Sequence, residues 1–165
     1  MDLDRELARL VEQEDRLRLP RLDPGTPWLL GARLKALAEG QGVAVAIEVR
    51  VARETHFFYA MPGTAPTNAD WARRKRNSVE LLHKSSYRIG RELQRDGGTL
   101  EDRMGLPTRD YASHGGSFPL CLEGAGCIGA VTISGLPERM DHNYVVEVLA
   151  SCCGVALQDV ALDTV

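Results

Sequence analysis

The sequence predicts an α+β fold, an antiparallel sheet flanked by helices in profilin- or PAS-like layers, in the order α-α-β-β-α-β-β-α. Three observations predict it. Two pairs of strand-like runs are each joined by a short turn, around residues 43–61 and 118–133, which reads as two hairpins. Apolar residues recur at helical spacing before, between and after those hairpins. Helices and hairpins then segregate along the chain as they do in α+β proteins. The 165 residues fit one domain, 1–165, with 1–40 as a helical extension and 41–165 as the core.

Each element has a local reason. Leu3, Leu7, Leu10, Val11 and Leu17 mark an amphipathic helix over 3–18. The stretch PRLDPGTP breaks the chain with turn residues. A second helix runs from Trp28 to Glu39 and stops at Gly40. In VAVAIEVRV, residues 43–51, valines and Ile47 alternate with Glu48 and Arg50, the period of a strand with one buried face. HFFYAM follows as its hairpin partner. Capping-box spacing at Thr67–Asp70 opens a long helix, about Ala69 to Arg95, ended by Gly97-Gly98. Gly90 inside it, four residues after Ser86, marks a close approach to another element. Residues 99–117 read as loop with short strand pieces. Phe118–Leu122 and Cys127–Ile133 form the second hairpin, and the all-apolar CIGAVTI reads as a strand covered on both sides. Asn143–Val160 is the last helix.

Composition excludes several functions. Twenty basic residues against 23 acidic leave a net charge of −3, without the basic excess of a nucleic-acid binder. The charged N-terminus lacks the apolar core of a secretory signal. No apolar run approaches the roughly 20 residues of a membrane span. The expected location is cytoplasmic. Of four cysteines, Cys152 and Cys153 read as small core residues of the last helix. Cys121 and Cys127 face each other across the hairpin; in a reducing cytosol thiols are expected, a disulfide being the lesser alternative. The run Arg73-Arg74-Lys75-Arg76 reads as a solvated helix face.

Motifs narrow the chemistry. GAGCIG matches GxGxxG, but β-formers follow it where a dinucleotide site needs a helix, so it is a hairpin turn plus a strand glycine. HGG resembles an esterase oxyanion loop, yet no GxSxG nucleophile elbow is present. His83 falls mid-helix, and His56 opens a strand. His114 and His142 lie at loops beside the C-terminal strands, and Asp141 precedes His142. A neutral imidazole can ligate haem iron and a carboxylate can orient it. Gly115 and Gly116 allow a sharp corner whose amides can meet an anion, and Pro119 biases Phe118 to extended backbone. The candidate ligand-binding set is therefore His114, Gly115, Gly116, Ser117, Phe118, Asp141 and His142.

The blocks PTNADWARRKRN, DYASHGGSFPL and IGAVTISGLPERMDHNYVVEVL resemble, in order and spacing, the GlcG/HbpS-like domain family, often labelled haem-degrading. The resemblance covers about Val43 to Val160 and is nearest to the family's stand-alone members. It implies helices on an antiparallel sheet, homo-oligomers, and haem as a cofactor, with His114 and His142 as candidate iron ligands. Three readings follow, in this order. The first is a module binding haem or another anionic small ligand, the second an oligomer that presents surfaces to a protein partner. The third is a haem-degrading enzyme, which needs an external reductant because no flavin or nicotinamide motif is present.

Overall fold

The computed structural model describes residues 2–162. Four strands form one sheet: β1 (Ala46–Val51), β2 (Glu54–Ala60), β3 (Ser117–Leu122) and β4 (Gly126–Ser134), in the order β2-β1-β4-β3 and antiparallel throughout. Both hairpins are thus consecutive in sequence, and β1 pairs with β4 at the centre. The helices are α1 (Leu3–Arg16), α2 (Thr26–Gly40), α3 (Pro66–Leu82), α4 (Ser86–Asp96), α5 (Leu100–Met104) and α6 (Glu138–Cys153), followed by a 3-10 turn at Leu157–Asp159. The α+β fold and the expected order of strands and major helices hold. No described helix is long and apolar enough to cross a membrane.

The sheet has two unlike faces, both covered. Ile47, Val49, Phe57, Phe118, Leu120, Val131 and Ile133 share the apolar face, where Leu30 and Leu34 of α2 and Val145 and Leu149 of α6 close the main core. The alternate positions, Glu48, Arg50, Thr132 and Ser117, lie under α3. Ser117 and Thr132 are register partners and share a 2.7 Å hydroxyl hydrogen bond. Glu48 accepts a hydrogen bond from Thr55 at 2.9 Å and faces Arg76 at 3.6 Å. Polar groups on a covered face need partners, and here each has one.

This polar interface corrects the solvated reading of the basic run. Lys75 is buried against Asp141, and Arg76 reaches Glu48. Arg73 binds Asp110 at 2.9 Å and the Arg109 carbonyl, and Arg74 donates to the Thr108 carbonyl. The run clamps the 107–116 loop to α3.

Four boundaries also differ from expectation. The single long helix is two, because His83 adopts a left-handed conformation (φ 54°) and ends α3. Ser85 then caps α4 by accepting from the Arg88 amide, while its own amide donates to Glu14 of α1 at 2.8 Å. His83 is therefore at a break and exposed, not mid-helix. Helix α3 begins earlier than expected: Pro66 occupies its first turn and Asn68 accepts from the Ala65 amide at 2.8 Å. Residues 99–116 hold α5, opened by reciprocal bonds between Thr99 and Asp102, and then loop as expected, with no strand piece before Ser117. The last helix starts at Glu138 and stops at Cys153, ahead of a left-handed Gly154. Cys121 and Cys127, register partners across the β3–β4 hairpin, form a disulfide, the lesser of the two alternatives. Cys152 and Cys153 are free and pack against the core.

Helix α1 completes the structure from outside. Leu7 and Leu10 meet Tyr87 of α4 and Leu162, and Gln13 donates to the Val160 carbonyl at 2.7 Å.

The close approach expected at Gly90 is made by the loop: a Cβ there would stand 2.3 Å from the Ser113 carbonyl oxygen. Backbone cannot yield as a flexible side chain can. Gly90→Ala, normally a stabilising change in a helix, is expected to cost about 2 kcal/mol or more. Urea unfolding measures it; a stabilised variant would show that the loop is not held against α4.

Candidate functional site

A cleft of about 260 Å³ opens where the 113–116 corner meets α3 and the turn leading into α6. Asn68, Trp71 and Lys75 line it from α3, His114 from the loop, and Ser134, Gly135, Leu136 and Glu138 from the β4–α6 turn. Asn68, Trp71 and Lys75 fall at i, i+3 and i+7, one face of a helix. The His114 ring stands edge-on to Trp71 with centroids 4.9 Å apart. The Arg74 guanidinium lies 4.3 Å from the Trp71 ring centre, a cation–π contact that fixes the indole.

The floor is an ion pair. Lys75 Nζ lies 2.9 Å from Asp141 Oδ2 and 3.3 Å from the Ile133 carbonyl oxygen. Asp141 also accepts from the amides of Leu136 (3.1 Å) and Gly135 (3.4 Å). Burial pushes the Asp141 carboxyl up, opposed by the Lys75 ammonium and those two amides. Gly116 closes over the pair with φ 126°, and a Cβ there would lie 2.8 Å from Lys75 Nζ and 2.5 Å from the Ile133 carbonyl oxygen. Gly115 is held as tightly against the Glu138 backbone, and its amide points to Glu138 Oε2 at 3.4 Å.

The seven residues singled out in sequence separate into three groups. His114 is exposed and lines the cleft. Gly115, Gly116 and Asp141 build the corner beneath it. Ser117, Phe118 and His142 lie in the interior. The Ser117 amide donates to Ser86 at 3.0 Å, and Phe118 belongs to the main core. His142 is stacked on Tyr87 at 5.0 Å, and its Nε2 meets Gln13 Oε1 at 2.8 Å. Trp71, Lys75, Asn68 and Glu138 were not singled out as site residues, although the helical spacing of the first three was a readable signal. No group of three metal-ligating side chains occurs among the described residues.

A second polar cluster lies behind this corner. Glu6 of α1 accepts from Tyr87 at 3.1 Å, approaches Arg91 at 3.5 Å and pairs with Arg139 of α6. Burial, reinforced by the positive charge of Arg139, pushes the His142 imidazole down to about 3. The folded protein therefore holds it neutral, whereas the unfolded chain takes up a proton near pH 6.5. Between those values the unfolded state binds more protons, so stability present above pH 6.5 is lost as pH falls, by up to about 1.4 kcal/mol per unit. Asp141 and Glu14, both raised by burial, act with the opposite sign. The difference between wild type and His142→Gln isolates the histidine. Urea titrations from pH 7 to 4 should show wild type losing stability faster than the variant; parallel pH profiles would place a proton on the folded imidazole.

Comparison with known proteins agrees with the architecture. A family model described as haem degrading protein HbpS-like matches residues 22–150. A UPF0303 protein of Azotobacter vinelandii is 51% identical over 163 residues, 99% of this chain and 98% of the relative. Among solved structures, the Ybr137w protein superposes with a TM-score of 0.82 at 24% identity, covering 93% of this chain and 95% of that one. A PduOC:heme complex superposes with a TM-score of 0.64 at 17% identity, covering 78% and 92%. At these identities the two structural likenesses are of fold. The match to most of the chain, together with the half-identical relative, leads to one assignment: the chain belongs to the HbpS-like family.

Proposed function

We propose that the Trp71–His114 cleft binds a small anionic ligand with a planar ring, haem being the first to test. The cleft itself carries the reading: an exposed imidazole and an indole stand over a buried ammonium. An ammonium has three donors. Asp141 and the Ile133 carbonyl take two from Lys75, and the third is available to a carboxylate in the cleft. Trp71 supplies a wall for a ring, and His114 a nitrogen for haem iron. His142, enclosed by Tyr87, Phe118 and Gln13, has no part in this role.

The fit to haem is partial. A volume of about 260 Å³ lies just below the range of about 300–1,000 Å³ usual for small-molecule sites. It accommodates one edge of a macrocycle with an acidic side chain, and the remainder would lie against a second surface. Iron, once bound, would supply ligand exchange at His114; Trp71 and Lys75 orient the ring and its carboxylate. Family membership and the heme complex of the PduOC fold neighbour support haem as the probe.

The second reading is a homo-oligomer that presents surfaces to a protein partner. Trp28 (68% exposed) and Phe58 (50% exposed) on the β2 side of the sheet favour it.

Titration with hemin should give a saturable Soret shift. His114→Ala and Trp71→Ala should each weaken it about tenfold or more, equivalent to about 1.4 kcal/mol, while His56→Ala leaves it unchanged. Native mass spectrometry of the same preparation identifies any co-purified ligand and counts subunits. No saturable shift, or a shift indifferent to both cleft variants, would remove haem from the site.

A further inference from the structure

A second cleft, of about 390 Å³, lies at the opposite end of α3. Cys127, Ile128 and Gly129 of β4 line it with Ala52 and Arg53 of the β1–β2 turn, Leu22, Glu80 of α3, and His83 at the end of that helix. It shares no lining residue with the Trp71–His114 cleft. We propose that it is a thiol–disulfide exchange site, in which a small thiol bearing carboxylates reduces the Cys121–Cys127 disulfide by attack at Cys127.

Four observations carry this. First, the two cysteines are unequal: Cys121 is buried, whereas Cys127 is partly exposed and lines the cleft. An incoming thiolate reaches Cys127, and Cys121 is the leaving group. Second, the hairpin does not need the bond. Sequence separation is six, and closing so short a loop contributes only about 2 kcal/mol. The β3–β4 ladder continues to Leu122–Gly126, and Leu19 bonds the Cys121 carbonyl at 2.8 Å and the Glu123 amide at 3.0 Å. Third, the cleft carries cationic chemistry suited to a thiolate and a carboxylate. The Arg53 guanidinium makes no ion pair among the described residues, while Glu80 is engaged by Arg50 at 2.9 Å. The Ala52 amide bonds the Ile128 carbonyl at 2.8 Å, which fixes the turn carrying Arg53 beside Cys127. Fourth, Cys153 does not compete as a thiolate. Burial and the neighbouring Cys152 thiol push the Cys153 thiol up to about 11.

The exchange balances as follows. A thiolate RS⁻ forms a bond to Cys127 Sγ as the Cys127–Cys121 bond breaks, and Cys121 leaves as a thiolate that takes a proton from water. A second RS⁻ attacks the R-bearing sulfur of the mixed disulfide, releasing RSSR and the Cys127 thiolate. Two thiols supply the two electrons.

Redox buffers of reduced and oxidised glutathione, a tripeptide with two carboxylates, test this on the full chain. Alkylation and mass spectrometry count the thiols. Reduction should be reversible with the far-UV spectrum unchanged. With Cys121→Ser, oxidised glutathione should label residue 127 rapidly; with Cys127→Ser, residue 121 should be labelled only in denaturant. Arg53→Ala should slow reduction of the otherwise native chain by glutathione about three- to tenfold and slow reduction by 2-mercaptoethanol, whose thiolate carries no carboxylate, distinctly less. Reduction that needs denaturant, equal labelling of both cysteines, or an Arg53→Ala effect that is absent or equally large for both reductants would overturn the proposal.

Discussion

The buried ion pair between Lys75 and Asp141 is the constraint on which the candidate site depends. Two charges removed from water are costly unless their remaining donors and acceptors are satisfied. Here the Ile133 carbonyl takes one further donor of Lys75 and the amides of Gly135 and Leu136 serve Asp141, which leaves one Lys75 donor at the cleft. Those partners come from the end of β4 and the turn into α6, so satisfying the pair fixes the position of three elements. Gly116 lies against both residues, in a position where any Cβ would collide with the Lys75 ammonium and the Asp141 Cβ. The corner that presents His114 is therefore moulded on the pair, and both charged residues are buried beneath it.

This arrangement explains the unusual character of α3. One face of the helix reads as polar, yet it packs on the sheet rather than facing water. Glu48, Ser117 and Thr132 give the sheet a polar surface, and Arg76, Ser78 and Lys75 are its counterparts across the interface. Arg73, Arg74 and Asn77 at the margin of that interface hold the 107–116 loop. Polar networks of this kind specify geometry more than they add stability, which suits an element that seats a ligand cleft. The apolar face of the sheet, with α2 and α6, supplies the core.

Much of the fold was legible because strands and turns have local signatures. The alternation of residues 43–51, the β-forming run after GAGCIG and the breaker PRLDPGTP each correspond to an observed element or connection. The break at His83 was harder to read, because a left-handed histidine carries no glycine signal, although Ser85 was a readable cap. The polar sheet face misled for a physical reason: periodicity distinguishes two faces but not what covers them. Glu48 and the basic run looked solvated because their partners lie far apart in sequence. The same limit applies to the site. His114 and the glycine corner were visible in one stretch, whereas the pairing of Lys75 with Asp141 spans 66 residues. His142 and Phe118, neighbours of the corner in sequence or in the fold, turned inward to Tyr87 and the core.

A double-mutant cycle on the ion pair tests this account most directly. Lys75→Met leaves a buried carboxylate, and Asp141→Asn leaves a buried ammonium while retaining an acceptor for Gly135 and Leu136. Urea unfolding should show each single change costing about 3–5 kcal/mol, and the double variant costing less than either. Costs that simply add would contradict a coupled pair and, with it, the claim that the pair positions the cleft.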